Sequence, residues 1–182
     1  MTASPVPPEP GGWQVTSGSP DPAAVERLLR SLPDWFGIES STAEYIRRAA
    51  ELPAYLAWRP GQVGPPATPA AVATPAAASG SFPAGALLAI RHFPAAAEIY
   101  LMAVDPAAHR RGAGRALVTA AERDLAADGV RFLQVKTLGS SHPDLGYART
   151  RAFYLALGFE PLEEITGLWP ENPCLIMIKS LA

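Results

Sequence analysis

Apolar residues recur along this chain in two patterns, and each pattern predicts one kind of secondary structure. Spacings of three and four residues predict amphipathic helices, whereas short runs rich in branched and aromatic residues predict strands. The resulting order is β, α, α, β, β, β, α, β, α, β, β. The predicted helices are 22–32, about 42–50, 112–127 and 147–157. The predicted strands are 13–15, 54–58, 87–90, 98–104, 131–137, 159–165 and 175–179.

Two of these helices, 112–127 and 147–157, each connect one strand to the next. A helix that crosses between strands usually joins parallel neighbours, whereas short turns join antiparallel ones. We therefore predict an α/β protein with a central mixed (α+β) sheet of about seven strands and about four helices. The parallel portion is expected in the C-terminal half.

Polar residues and prolines mark the beginnings of the first two helices. Asp21 is the expected N-cap of the first helix, with Pro22 at its first position, and Pro33 ends it. Ser41 or Thr42 is the expected N-cap of the second helix. Each cap supplies an oxygen for a backbone N–H that the helix leaves without a partner.

Proline is concentrated in two segments of low complexity. Residues 1–12 are rich in proline and glycine, and we expect a disordered tail there. Residues 60–83 are expected to form a Pro/Ala-rich loop insertion within a single domain that spans 13–182. No charge occurs between Arg59 and Arg91, but the prolines of that stretch argue against a membrane helix.

Charge and cysteine content exclude several classes of function. The formal net charge is −2 and no block of five basic residues occurs, so binding to nucleic-acid phosphates is not expected. Cys174 is the single cysteine, which excludes an internal disulfide, and no Cys/His cluster indicates a metal site. A single cysteine fits a reducing cytoplasm, which is the expected location. The residues after Met1 lack the basic and apolar regions of a signal peptide, so none is expected.

The chemistry is concentrated where the strand 98–104 leads into the helix 112–127. Glycines at a helix start let the backbone approach a ligand, and the N–H groups of the first turn suit a pyrophosphate. A Rossmann fingerprint requires a third glycine where Leu117 stands, and a P-loop requires Gly-Lys-Ser/Thr, which is absent. The residues at this junction are His109, Arg110, Arg111, Gly112, Ala113 and Gly114.

This junction resembles the acetyl-CoA motif of the GNAT superfamily, which is Gln/Arg-x-x-Gly-x-Gly/Ala after a strand. A second family motif, Phe-Tyr-x-x-x-Gly-Phe, is matched by residues 153–159. The chain departs from the family pattern at His109, at Tyr147, where Asn is frequent, and at Thr150, where Ala is common. The order of elements agrees with the family over about 13–179.

The resemblance implies that acetyl-CoA is the co-substrate and that no metal takes part. In this family the pantetheine arm is held as a pseudo-strand beside the strand that corresponds to 98–104. The residues implied for pantetheine are Met102, Ala103 and Val104. Those implied for the pyrophosphate are His109, Arg110, Arg111, Gly112, Ala113, Gly114 and Arg115.

The resemblance also implies an N-acetyltransferase that transfers acetyl to a primary amine by direct attack in a ternary complex. Tyr154 matches the family tyrosine that can protonate the leaving thiolate. A base is needed as well, because a lysine-like amine has a pKa of about 10.4. Glu98 resembles the strand glutamate that some relatives use for this purpose, and a relay water is the alternative.

The acceptor is expected to be a small-molecule or peptide amine. Loops wall the acceptor pocket in similar enzymes, and the residues here are Trp35 and Phe36 between the first two helices and Trp169 in the turn between the last two strands. His142, in the loop after 131–137, is a further candidate. The family analogy is also compatible with a homodimer.

Two other functions stay open on the sequence. A protein of this fold could bind acyl-CoA without catalysis, as a sensor or scaffold. Alternatively, Gly112 and Gly114 could belong to an unrelated nucleotide-binding module.

Overall fold

The computed structural model describes residues 12–62, except 19 and 21, and residues 82–181. Most of the predicted tail 1–12 and of the predicted loop 60–83 falls outside this range, as does the expected N-cap Asp21. The predictions for these segments, and that of a single domain over 13–182, therefore stay predictions.

A mixed sheet contains seven strands of the described chain. Its strands are β1 Gln14–Gly18, β2 Ala54–Trp58, β3 Gly85–Phe93, β4 Ala96–Val104, β5 Phe132–Leu138, β6 Glu160–Trp169 and β7 Asn172–Ser180. Their order is β1-β2-β3-β4-β5-β7-β6. β4 and β5 run parallel, whereas β1–β2, β2–β3, β5–β7 and β6–β7 are antiparallel. The predicted element order and mixed sheet are confirmed.

The four predicted helices are present within the described ranges. They are α1 Pro22–Arg30, α2 Glu39–Ala49, α3 Ala113–Ala127 and α4 Leu145–Leu155. The apolar residues at helical spacing in the predicted helix 22–32 are all buried, namely Val25, Leu28, Leu29 and Leu32. The helix itself ends at Arg30. Among the residues covered, no helix combines the length and apolar character needed to cross a bilayer.

The predicted cap of α2 is wrong. The helix begins at Glu39 with Ile38 at the N-cap position, and no side chain there accepts a hydrogen bond. Thr42 instead lies inside the helix, where its hydroxyl donates to the carbonyls of Phe36 at 2.9 Å and Ile38 at 3.1 Å. A buried hydroxyl with backbone acceptors within reach stabilises the loop before the helix rather than the helix end.

The chain forms two compact units, residues 1–88 with 101–121 and residues 89–100 with 122–182. In the first unit, α1 buries Leu29 and α3 buries Leu117. The helix α3 packs closely on β3, because a Cβ at Gly85 would lie 3.0 Å from Cδ1 of Leu117.

The second unit contains β5, β7 and α4. Its largest fully buried side chains are Phe159, Leu133 and Met177. Directly after β5, a Cβ at Gly139 would collide with the carboxylate of Glu164. That carboxylate accepts a hydrogen bond from the Ser140 N–H at 2.7 Å, so the loop after β5 is attached to β6.

Candidate functional site

Asp105 follows β4 and shapes the loop that leads to α3. Its carboxylate accepts a hydrogen bond from the Ala107 N–H at 2.8 Å, which caps the 3₁₀ turn Pro106–Ala108. It also accepts one from the Arg59 guanidinium at 2.8 Å. The hydrogen bonds from Arg59 and Ala107 hold the pKa of Asp105 below its usual value. The carboxylate is therefore ionised at neutral pH, which maintains both contacts.

The chain turns sharply between this 3₁₀ turn and α3. Arg110 and Gly112 have φ angles of 56° and 92°, and a φ near 90° strongly favours glycine. The first helical hydrogen bond of α3 runs from the Ala116 N–H to the Gly112 carbonyl at 2.9 Å. The N–H groups of residues 113–115 precede this bond and have no helical acceptor, which makes the turn suited to an anion.

His109 and Arg111 both have contacts inside this turn. The His109 imidazole donates from Nε2 to the Val104 carbonyl at 2.7 Å, and its ring lies edge-on to Trp35 with centroids 6.1 Å apart. The Arg111 N–H donates to the Ala108 carbonyl at 3.3 Å. Of the residues predicted to hold a pyrophosphate, these two therefore shape the turn, and the N–H groups of 113–115 are better placed as donors.

The residues predicted to contact pantetheine are the last three of β4. The parallel register between β4 and β5 ends with Ile99 opposite Val135, and all three residues lie beyond that pair along β4. Met102 and Val104 are half-buried and share one face of the strand, whereas Ala103 is buried.

A cluster of polar side chains surrounds Glu98 on β4. Glu98 is only 5% exposed, and three groups contact its Oε2 atom. Lys136 Nζ lies 2.7 Å away, Gln134 Nε2 lies 3.0 Å away and His92 Nε2 lies 2.7 Å away. Glu98 pairs with Gln134 in the parallel register, and Lys136 follows Gln134 on the same face of β5.

This cluster holds Glu98 in its ionised form. Burial by itself would raise the pKa of Glu98, but the hydrogen bonds from Lys136, His92 and Gln134 outweigh burial and lower it. A general base works best when its pKa is near the working pH. Glu98 is therefore a weaker base here than a buried glutamate without these donors would be.

Replacing Lys136 with Met should destabilise the protein at pH 7, because it removes the cation beside the buried Glu98 carboxylate. We expect urea denaturation to give a free energy of unfolding lower by about 2 kcal/mol. Since the pKa of Glu98 is lowered in the folded protein, the pair stabilises it above pH about 4.3. That contribution is lost as the pH falls through the folded-state pKa, so the difference from wild type should shrink below pH about 4.

Lys136→Arg is the matched control, since it keeps a positive charge near Glu98. It should lose less than half as much stability as Lys136→Met. An equal loss in both variants, or a loss that is undiminished at acid pH, would show that the ion pair is not the cause.

Tyr154 lies on α4 with only 4% of its surface exposed. Its ring is edge-on to those of Phe153 and Phe159, with centroids 5.2 and 5.3 Å away. Burial raises the pKa of Tyr154, so the hydroxyl keeps its proton at neutral pH and can donate a hydrogen bond. Packing explains the ring, and the role of the hydroxyl stays a prediction.

The residues predicted to line an acceptor pocket lie in different local settings. Phe36 packs edge-on against Tyr45 of α2, with centroids 5.9 Å apart. His142 is half-buried in the loop after β5. The placement of Trp169 in a turn is wrong, because it is the last residue of β6 and pairs with Asn172. The strands β6 and β7 are longer than predicted, since Thr166 and Gly167 interrupt the apolar pattern of β6 and Asn172 and Pro173 interrupt that of β7.

Lys136, Gln134 and His92 are site candidates that the sequence pattern did not single out. Gln134 and Lys136 occupy alternating positions of an otherwise mainly apolar strand, which is the signal of a polar face. Their partner could not be identified from that signal, because the register between β4 and β5 decides which strand residue they meet.

Cys174 lies fully buried on β7, and burial raises the pKa of its thiol. The thiol is therefore protonated at neutral pH and a poor nucleophile, as expected of a cysteine in the core. Within residues 12–62 and 82–181, apart from 19 and 21, no group of three histidine, cysteine or acidic side chains could hold a metal ion.

Comparison with known families gives one sequence match. Residues 77–161 match the acetyltransferase (GNAT) domain family. This range includes both motifs described above. No curated protein matches the chain in sequence.

The fold is shared with solved acetyltransferase structures. A GNAT-family acetyltransferase from Desulfovibrio desulfuricans superposes with a TM-score of 0.65 at 19% identity, covering 93% of this chain and 99% of that one. The ribosomal-protein-S18-alanine N-acetyltransferase from Escherichia coli gives 0.64 at 18% identity, over 93% and 95%. An aminoglycoside 6′-N-acetyltransferase complexed with coenzyme A gives 0.60 at 17%, over 92% and 97%. These likenesses show that the chain has the GNAT fold, and the family match lies within it at residues 77–161.

Proposed function

We propose that this protein transfers an acetyl group from acetyl-CoA to a primary amine by direct attack in a ternary complex. The observation that carries the proposal is the turn at 109–112, which presents the N–H groups of residues 113–115 within the segment matched by the GNAT family. The likeness to an aminoglycoside 6′-N-acetyltransferase complexed with coenzyme A supports the same co-substrate.

The cofactor diphosphate is proposed to bind at the start of α3. The N–H groups of residues 113–115 would donate to its oxygens, and the helix dipole would add a partial positive charge. The exposed side chains of Arg110, Arg111 and Arg115 increase the positive charge around this turn. The pantetheine arm is proposed to contact the backbone of 102–104.

Starting from the ammonium, the nitrogen loses two protons, one before the attack and one as the tetrahedral intermediate collapses, and the sulfur gains one. The neutral amine attacks the thioester carbonyl carbon, the C–N bond forms, and the C–S bond breaks as the tetrahedral intermediate collapses. We assign the Tyr154 hydroxyl to the leaving sulfur, because burial keeps that group protonated. A thiol has a pKa of about 8.5, so a buried phenol acts there chiefly as a hydrogen-bond donor that relays a proton. Glu98 or a water relay would take the proton from the ammonium.

The acceptor class is a small-molecule or peptide amine, with Trp35, Phe36, His142 and Trp169 as candidates for its pocket. Two structural neighbours point to different acceptors, since one is named for an aminoglycoside and the other for the alanine of a ribosomal protein. Acceptor pockets in one fold are built from loops that differ between enzymes, so the shared fold does not choose between these classes.

The test is release of free CoA, followed with a thiol reagent, in the presence of acetyl-CoA and a panel of amines. The panel contains an aminoglycoside, an alanine-terminated peptide and a polyamine. We expect turnover with at least one class and formation of the N-acetyl product by mass spectrometry. Tight binding of acetyl-CoA without turnover on any amine would favour the sensor or scaffold alternative. Equal competition by NAD or ATP would favour a different nucleotide site.

A further inference from the structure

Three hydrogen-bond donors meet at one oxygen of Glu98, and this arrangement bears on the base of the proposed reaction. Lys136, Gln134 and His92 all contact Oε2 at 2.7–3.0 Å, and Glu98 is only 5% exposed. An ionised carboxylate stabilised by a lysine has little tendency to take another proton. The cluster therefore makes Glu98 better suited to orient a neighbour than to act as the base itself.

His92 is the neighbour with suitable chemistry. Its side chain is 38% exposed, whereas that of Glu98 is 7% exposed. The imidazole borders an open groove of about 410 Å³, together with Lys136 and the ring of Phe93. One ring nitrogen, Nε2, is held by the carboxylate, so when it carries the proton, Nδ1 is left with a lone pair.

We propose that His92 accepts the proton that the acceptor ammonium loses, directly or through a water, and that Glu98 and Lys136 position it. This inference rests on the proposed acetyl transfer. A buried carboxylate fixes the tautomer of an imidazole and stabilises the imidazolium that forms, as in Ser-His-Asp triads. Lys136 keeps that carboxylate ionised and in place.

The protons balance in this scheme. The ammonium R–NH₃⁺ gives one proton to Nδ1 of His92 and becomes R–NH₂. After attack, the nitrogen loses a second proton as the C–S bond breaks, and the sulfur gains one. The products are the amide and neutral CoA thiol, and the imidazolium returns its proton to solvent.

The charges that face His92 come from two neighbouring strands. Glu98 on β4 stabilises a positive charge on the imidazole, whereas the ammonium of Lys136 on β5 repels such a charge. Gln134 carries no charge. On the same strand as His92, Arg91 donates to the backbone carbonyls of Pro94 and Asp128. The ionised Glu98 makes the direct contact, and a base acts only while it is unprotonated, so rates should fall as the pH is lowered.

The experiment is the pH dependence of kcat/KM with acetyl-CoA and an accepted amine, for wild type, His92→Gln, Glu98→Gln and Arg91→Gln. We expect His92→Gln to lower kcat/KM about 100-fold at pH 7 and to remove the acidic limb of the profile. Glu98→Gln should keep an acidic limb and lower kcat/KM by less than His92→Gln does, because the imidazole remains and only the group that positions it is changed. Arg91→Gln is the matched control on the same strand and should keep the wild-type profile.

Other outcomes overturn the inference in recognisable ways. If His92→Gln keeps the rate and the acidic limb while Glu98→Gln loses both, Glu98 is the base. If both variants keep the wild-type profile, neither residue carries the proton, although acetyl transfer itself stands. If wild type releases no CoA with any amine, the proposed function fails and this inference fails with it. Isothermal calorimetry with CoA checks that each variant still folds and binds.

Discussion

Replacing Gly112 with Glu should weaken acetyl-CoA binding about 100-fold or more, which corresponds to about 2.8 kcal/mol. Gly112 has a φ of 92° directly before α3, where the N–H groups of 113–115 are proposed to meet the diphosphate. A glutamate there would place a bulky anion next to the phosphate oxygens. Calorimetric titration with acetyl-CoA, or with CoA itself, measures the effect.

A second glycine provides the control for backbone strain. Gly129 has a φ of 84° in the turn after α3, and a Cβ there meets nothing within 4 Å. Gly129→Glu therefore carries a similar conformational penalty, of about 1–3 kcal/mol, without a charge at the proposed phosphate site. It should be less stable than wild type but bind acetyl-CoA normally. Normal affinity in Gly112→Glu would remove the phosphate site from the proposal.

Replacing Tyr154 with Phe should lower kcat about 100-fold while acetyl-CoA affinity and thermal stability stay close to wild type. The change removes one hydroxyl and keeps the ring, so the packing against Phe153 and Phe159 is retained. The loss should appear in kcat because the hydroxyl is proposed to act on the sulfur only as the C–S bond breaks. Steady-state kinetics with an accepted amine, together with calorimetric titration, measures both quantities.

Tyr147→Phe is the matched control, since Tyr147 lies on the same helix and is half-buried. The pKa of its phenol is also raised, by burial and by the nearby Asp144, so the two tyrosines are both protonated at neutral pH. We expect Tyr147→Phe to keep the wild-type kcat. Unchanged turnover in Tyr154→Phe, or an equal loss in both variants, would contradict the assignment of Tyr154 to the sulfur.

The two proton-transfer assignments predict separable kinetic effects. Loss of the Tyr154 hydroxyl should lower the rate at every pH, because that group does not titrate near neutrality. Loss of the His92 imidazole should change the shape of the pH profile as well as its height. A double variant would then test whether the two groups act on the same step, since effects on one step are not additive.

Local sequence determined most of the fold. The spacing of Val25, Leu28 and Leu29 predicts α1, and the strand 54–58 is predicted with its observed bounds, because both depend on apolar periodicity alone. The helix 112–127 is predicted to begin one residue too early, because the observed φ of 92° places Gly112 in the turn before α3. The other errors also lie at the ends of elements, as at the start of α2 and at Trp169, where the apolar pattern is interrupted.

Only the tertiary structure decided the surroundings of Glu98. The sequence places Glu98 on a strand, yet the parallel register sets Gln134 opposite it and brings Lys136, 38 residues away along the chain, to 2.7 Å. The same arrangement attaches His92 to the carboxylate. Whether a buried carboxylate acts as a base depends on which charges lie within a few ångströms of it, and contacts between distant residues decide that. Periodicity describes each strand separately, so it predicts the face of Glu98 but not its partners.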